Sequence, residues 1–173
     1  MSPIRFSTVA QADIAAWFDK YGPAVYRRAR YLLGNHEDAQ EATQEIFIRA
    51  MKSASSFEGR AGEYTWLSRI TTNFCLNRIR DQRRRDELLQ EKVATLPGSF
   101  PATPSAEGLL TMRKLLAEAD EECARAAIYV FVDGMSHREA AELLDVSRRT
   151  VGNLIEKFRH WAAERLADDE RMA

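Results

Sequence analysis

The chain has two cysteines, five prolines, eight glycines and three histidines among its 173 residues, and each scarcity removes a class of protein. Cys75 and Cys123 have neither metal-ligand spacing nor the numbers for a secreted disulfide framework, so they read as small buried apolar residues in a reducing compartment. His36, His137 and His160 lie far apart and offer no paired metal ligands, and no glycine-rich loop of the phosphate-cradling kind is present. No catalytic residues, cofactor or metal are therefore expected. The opening MSPIRFSTVAQ lacks the apolar core of a secretion signal, and no run approaches the roughly 18 consecutive apolar residues of a membrane span. The expectation is a cytoplasmic chain without membrane insertion.

Charge of one sign is also lacking. Twenty-five Lys and Arg face 26 Asp and Glu, a formal net charge of −1, which excludes a simple polycation that coats nucleic acid or membrane. The near-zero total is a cancellation between segments. Arg69 to Arg85 holds six arginines against one acid, giving +5, and Ser147 to Arg165 holds five bases against two acids, giving +3. Four acids and no Lys or Arg between His36 and Glu45 give −4, and residues 86 to 122 carry eight acids against three bases, giving −5.

Three of the five prolines, Pro97, Pro101 and Pro104, fall in TLPGSFPATPSAEG, a linker by composition. Everything on either side reads as helix and no stretch sustains period-two alternation, so the expected fold is all-α. It comprises two small helical domains, an N-terminal bundle over 1–92 and a C-terminal helix-turn-helix over 108–173, joined by a flexible linker over 93–107.

In the first domain, Thr8 with Gln11 forms a capping-box pattern before apolar Ile14, Phe18, Tyr21 and Val25. Pro23 interrupts that run and predicts a short helix followed by a second through Leu33. Gly34 then ends a helix, and Asn35 with Asp38 opens the next, which carries Ala42, Ile46 and Ala50 on one face beside Phe47, Met51 and Ala54. Glu58 to Glu63 contains two glycines and reads as a loop. From Tyr64 a long helix follows with Leu67, Ile70 and Phe74 inward. Arg69, Asn73, Leu76, Arg80 and Arg83 are expected to line an opposite stripe suited to phosphates and base edges.

In the second domain a helical run from Gly108 continues through Ile128 to Val132, read as buried helix rather than strand, and stops at Asp133-Gly134. Residues 136–160, SHREAAELLDVSRRTVGNLIEKFRH, carry the most specific signal. Ser136 with Glu139 is a capping box, Ser147 caps a second helix after the turn Leu144-Asp145-Val146, and Ala141 is small where two helices cross. Val146, Val151 and Leu154 supply apolar contacts, and Asp145 stands where a left-handed backbone is needed. This is the layout of a DNA-binding helix-turn-helix whose second helix presents Arg148, Arg149, Thr150 and Asn153 at its start, with Lys157 a turn later for phosphate.

With both halves read, the chain resembles a bacterial RNA polymerase sigma factor of the extracytoplasmic-function type. The resemblance rests on EDAQEATQEIFIRAM (Glu37 to Met51), FEGRAGEYTWLSRITTNFCLNRIR (Phe57 to Arg80) and DGMSHREAAELLDVSRRTV (Asp133 to Val151), in that order and with the linker between the last two. It implies a sigma region 2-like domain over 1–92, a region 4-like domain over 108–173, and a transcription initiation factor that recruits core polymerase and melts promoter DNA. It further implies that Asp38, Glu41, Gln44, Glu45 and Phe47 face the polymerase clamp helices, and that the loop of Gly59, Arg60 and Glu63 captures a flipped base. Arg69, Asn73, Asn77, Arg80, Arg83 and Arg84 would then hold the melted downstream element. Arg148, Arg149, Thr150, Asn153 and Lys157 would read the upstream one. Trp66 is implied to be core. Relatives often have an anti-sigma protein as a further partner. The chain departs from the family at Gln40 and Thr43, and in having Asp120-Glu121-Glu122 where a Leu-Pro usually stands. The rival reading is a helix-turn-helix repressor or activator with an N-terminal dimerisation or sensing domain, which offers no role for the +5 stripe or the acidic patch.

Overall fold

The computed structural model describes residues 11–54, 57, 62–89 and 106–172. Among these there are seven α-helices and no strand: α1 (Gln11–Leu33), α2 (His36–Lys52), α3 (Glu63–Leu89), α4 (Ala106–Glu118), α5 (Glu121–Ala127), α6 (His137–Leu144) and α7 (Arg148–Met172), with a π-helical turn at Ile128–Val132. Contacts gather them into two compact units, one up to Arg78 and one from Ile79 onward. The Thr8 cap and residues 93–105 of the expected linker lie outside the described residues, and α4 already begins at Ala106.

The expected break at Pro23 does not occur: α1 runs unbroken through it. Pro23 and Asp19 are both exposed, so water can serve the Asp19 carbonyl that Pro23 leaves without an N–H donor. The inward residues on both sides of it, Ile14, Trp17, Val25, Ala29 and Leu32, are each at most 6% exposed. Burial worth about 1.5–3 kcal/mol for each large side chain outweighs a proline cost of about 3 kcal/mol. The inward aromatic of the second turn is Trp17 rather than the expected Phe18, which is 46% exposed. Trp17 meets Phe57 and Trp66 edge-on, at centroid distances of 5.2 and 5.9 Å, and Phe57 lies tilted against Trp66 at 5.4 Å, which places Trp66 in the aromatic cluster.

Gly34 takes φ 91° after α1, and the Asn35 side chain accepts from the Asp38 N–H at 2.7 Å to start α2. Ala39, Ala42, Ile46 and Ala50 are buried against α1, whereas Met51 points outward. On α3, Leu67, Phe74, Cys75 and Leu76 are buried. Leu76 therefore belongs to the core and not to the outer stripe. Thr71 and Thr72 are fully buried without loss, because their hydroxyls donate to the Leu67 and Ser68 carbonyls at 2.8 and 2.9 Å. Burial pushes the Cys75 thiol up to about 12, only partly opposed by Arg28, so it stays a packed thiol.

In the second unit the run from Gly108 divides at Asp120, whose carboxylate accepts from the Glu122 and Cys123 N–H groups at 3.2 Å and caps α5. The apolar run Ile128–Val132 is helical but widened: the Asp133 N–H reaches back five residues to the Ile128 carbonyl at 3.0 Å. Ile128 and Tyr129 are buried while Phe131 is half-exposed. Tyr129, Ala126, Ala140, Ala141, Leu143, Val151 and Ile155 form one cluster with Leu144 and Leu154 against it. Val146, expected in that contact, is on the surface instead.

Candidate partner and nucleic-acid interfaces

The acidic face of the first unit is built by α2. Glu37, Glu41 and Gln44 are exposed and Asp38 and Glu45 half-exposed, on the side opposite the alanines that pack on α1. Arg78 of α3 reaches into the cluster, its Nη2 donating to Asp38 Oδ1 at 3.2 Å and to Glu41 Oε2 at 2.8 Å. Partial burial works against the Arg78 charge, but these bonds outweigh it and strengthen its hold on the proton. Glu45 pairs with Arg49 one turn on at 3.0 Å, and Arg49 also lies over the Phe74 ring. The patch keeps negative charge: Glu37 has no cationic partner among the described residues. Phe47 is only 5% exposed and packs edge-to-face on Phe18 at 4.9 Å, so the ring at this surface is that of Phe18.

Gly59 and Arg60 lie outside the described residues. Glu63, the first residue of α3, accepts from the Tyr21 hydroxyl at 2.8 Å and from Lys20 at 3.4 Å. The Tyr21 hydrogen bond, with the Lys20 charge behind it, holds this carboxyl below the usual range. Arg69, Asn73 and Asn77 follow at intervals of four along the outer line of α3, all exposed and without a polar partner among the described residues.

The last turns of α3, which fall in the second unit, are different. Arg80 donates to the Ala119 carbonyl at 2.8 Å and lies 3.6 Å from Glu121. Arg83 pairs with Glu87 at 2.7 Å and with Glu118 at 3.4 Å. Glu118 is held from its other side by Arg165 at 2.6 Å. Arg84 stays exposed, and Asp81 at 3.6 Å is its ion-pair partner among the described residues. Apart from the Arg83–Glu87 and Arg84–Asp81 pairs, which fall within one turn, nothing in the local sequence gives these pairings, because Glu118, Ala119 and Glu121 lie more than 30 residues from their partners; the acidic excess over residues 86 to 122 was the one visible hint.

The caps and the left-handed turn of the helix-turn-helix form as the sequence predicts, whereas Val146 stays outside the helix contact. Ser136 accepts from the Glu139 N–H while the Glu139 carboxylate accepts from the Ser136 N–H at 2.8 Å, completing the capping box. The Ser136 hydroxyl and N–H together keep the Glu139 carboxyl below its ordinary value. Asp145 closes α6 in the left-handed region at φ 56°, ψ 45°. Ser147 Oγ then accepts from the Thr150 N–H at 3.0 Å, and its hydroxyl bonds that of Thr150 at 2.8 Å, so the Thr150 hydroxyl is engaged by the cap. Arg148, Arg149, Asn153 and Lys157 are exposed. The first three have no polar partner among the described residues, and the Lys157 charge adds to the cap bonds that lower the Asp120 carboxyl. Among the described residues no cluster of His, Cys, Asp and Glu could hold a metal, and no helix is long and apolar enough to cross a membrane.

Residues 17–85 match the family model described as sigma-70 region 2. The chain is 31% identical over 172 residues to the ECF RNA polymerase sigma factor SigE of Mycolicibacterium smegmatis, which covers 93% of this chain and 65% of that relative. It is 28% identical to SigW of Bacillus subtilis, with 92% and 90% covered. The ECF RNA polymerase sigma-E factor of Escherichia coli is 27% identical over 134 residues, 70% of each chain. The chain thus spans just under two thirds of the Mycolicibacterium relative and nearly all of the Bacillus one. Among solved structures, the fold resembles CnrH in complex with the cytosolic domain of CnrY, with a TM-score of 0.57, 21% identity and coverage of 92% and 91%. It also resembles the sigma factor RpoE of Bartonella quintana in complex with the anti-sigma factor NepR, with a TM-score of 0.55, 22% identity and coverage of 90% and 97%.

Proposed function

Because this chain belongs to the extracytoplasmic-function family of RNA polymerase sigma factors, we propose that it binds core polymerase and directs it to promoters with two elements. The observation that carries the reading is the capped helix-turn-helix, whose α7 offers Arg148, Arg149 and Asn153 with no competing partner among the described residues. Guanine takes a bidentate arginine and adenine a bidentate asparagine in the major groove, and Lys157 adds a phosphate contact. This helix reads the upstream element.

The downstream element is the work of α3. Its open line of Arg69, Asn73 and Asn77 combines phosphate and base donors, with Arg84 beyond them. Arg80 and Arg83 join by exchanging the Ala119 carbonyl, Glu121 and Glu118 for phosphate oxygens. The segment with Gly59 and Arg60, together with Glu63 at the start of α3, receives a base turned out of the melted strand, at an unstacking cost of a few kcal/mol. The acidic face of α2, through Asp38, Glu41, Gln44 and Glu45, meets a basic surface on the polymerase clamp helices. Phe47 supports that face from beneath. The chain has no chemistry of its own in this role and acts in the cytoplasm, where promoter and polymerase are. An anti-sigma protein, the class of partner the Bartonella neighbour carries, belongs to the same proposal.

The docking half is tested by titrating core polymerase with wild-type chain and with Glu41→Lys/Glu45→Lys. The double reversal should weaken core binding at least tenfold while leaving the salt-dependent contact of α7 with DNA unchanged. Equal loss of both activities would place the acids in the fold rather than at the interface.

A further inference from the structure

The geometry points to Glu156 as a base-reading residue of α7, one that selects cytosine in the upstream element; this rests on the reading of α7 as the upstream reader. At about 100° per residue, the buried residues Val151, Ile155, Phe158 and Ala162, together with the partly buried Leu154 and Trp161, centre on one side of the helix. Opposite them lie Arg149, Asn153, Glu156 and His160, all exposed and all within about 40° of the outermost line. The remaining cations stand to the sides, Arg148 and Arg159 on one flank and Lys157 on the other. A helix so arranged sets its flanks against the phosphates of the two groove walls and its centre against the base edges.

An acid in that central sector is out of place on electrostatic grounds, since the helix must approach two rows of phosphates. It is also unoccupied. Of the three α7 acids whose side chains are described, Glu164 pairs with His160 and Asp168 with Arg171, whereas Glu156 has neither ion pair nor hydrogen bond among the described residues. Helical side chains lean toward the N-terminus, so the Glu156 carboxylate lies over the position four residues earlier. That position is Gly152, so the carboxylate meets no side chain of its own helix there, and the nearest group is the His137 ring, whose Nδ1 lies 3.9 Å from where a Cβ would stand. A carboxylate only accepts hydrogen bonds, and the cytosine N4 amine is a base-edge donor of the major groove that Glu and Asp are suited to meet.

The test uses the full chain with core polymerase and a promoter library randomised across the upstream element, comparing wild type with Glu156→Gln and Glu156→Ala at two salt concentrations. Both variants should lose about tenfold of the preference for cytosine at a single position while keeping the preferences elsewhere. Two variants on an exposed site guard against a folding artefact, since unchanged preferences elsewhere report an intact α7. Uniformly tighter binding with every preference intact would show that Glu156 only repels phosphate and would overturn the proposal. A wild-type protein with no upstream preference at all would instead remove the reading of α7 itself, and this inference with it.

Discussion

Asp145 is the residue where the sequence strains most visibly, and its replacement gives a quantity that can be worked out in advance. At φ 56° and ψ 45° it lies in the left-handed region, where an L residue generally costs roughly 1–2 kcal/mol and Asp somewhat less. Its side chain is exposed and makes no hydrogen bond or ion pair among the described residues that truncation would remove. Asp145→Ala keeps the Cβ and forfeits the tolerance of the short polar chain, so the turn should weaken. Asp145→Gly removes the Cβ penalty but returns about 0.5 kcal/mol as unfolded-chain entropy. The glycine variant should therefore exceed the alanine variant by about 1 kcal/mol, roughly a fivefold difference in the opening equilibrium. Hydrogen exchange of peptides covering α6 and α7 measures that opening directly. Exchange that is equal in the two variants would mean that the turn does not hold a left-handed residue.

Other outcomes follow from single features of the fold. Pro23→Ala restores an N–H to the middle of α1 and should raise the stability of the first unit by about 1–3 kcal/mol in urea unfolding, whereas a lower midpoint would mean that Pro23 shapes the helix the core requires. The carboxyls of Glu63, Asp120 and Glu139 are all held below their ordinary values. Each stays ionised longer in the native state than in the unfolded one. Their contribution is therefore complete above the ordinary carboxylate range and is lost as pH falls through the folded values. Tyr21→Phe removes the leading cause of the Glu63 shift and should flatten the acid limb of the first unit's stability profile. Superimposable acid limbs for wild type and Tyr21→Phe would contradict that cause.

Local chemistry was legible in the sequence wherever the signal and its effect lie within one turn. Asn35, the Ser136 and Glu139 pair, Ser147 and Asp145 all occupy the roles their residue types favour, because caps and turns are decided by neighbours three residues away. Which side of a helix faces inward was less legible. Trp17 and Phe18, or Leu76 and Asn77, differ by one position in a pattern of period 3.6, and the choice is made by partners on other helices. Pro23 was misleading because local propensity carries no information about whether the lost hydrogen bond faces water. Asp120 was noticed only as a departure from the family, although Asp followed by two Glu is itself a helix start. The engagement of Arg80 and Arg83 by Glu118, Glu121 and the Ala119 carbonyl could be seen only in three dimensions.

The central claim, that the chain confers promoter choice on polymerase, is tested most directly by mapping transcript starts made by core polymerase with and without the purified protein on a genomic or randomised template. Addition of the protein should produce a new set of starts, each preceded by the same two separated elements. Arg149→Ala should relax the upstream element alone, and Asn73→Ala should impair the downstream one. Start sites indistinguishable from those of core polymerase alone would refute promoter choice by this chain.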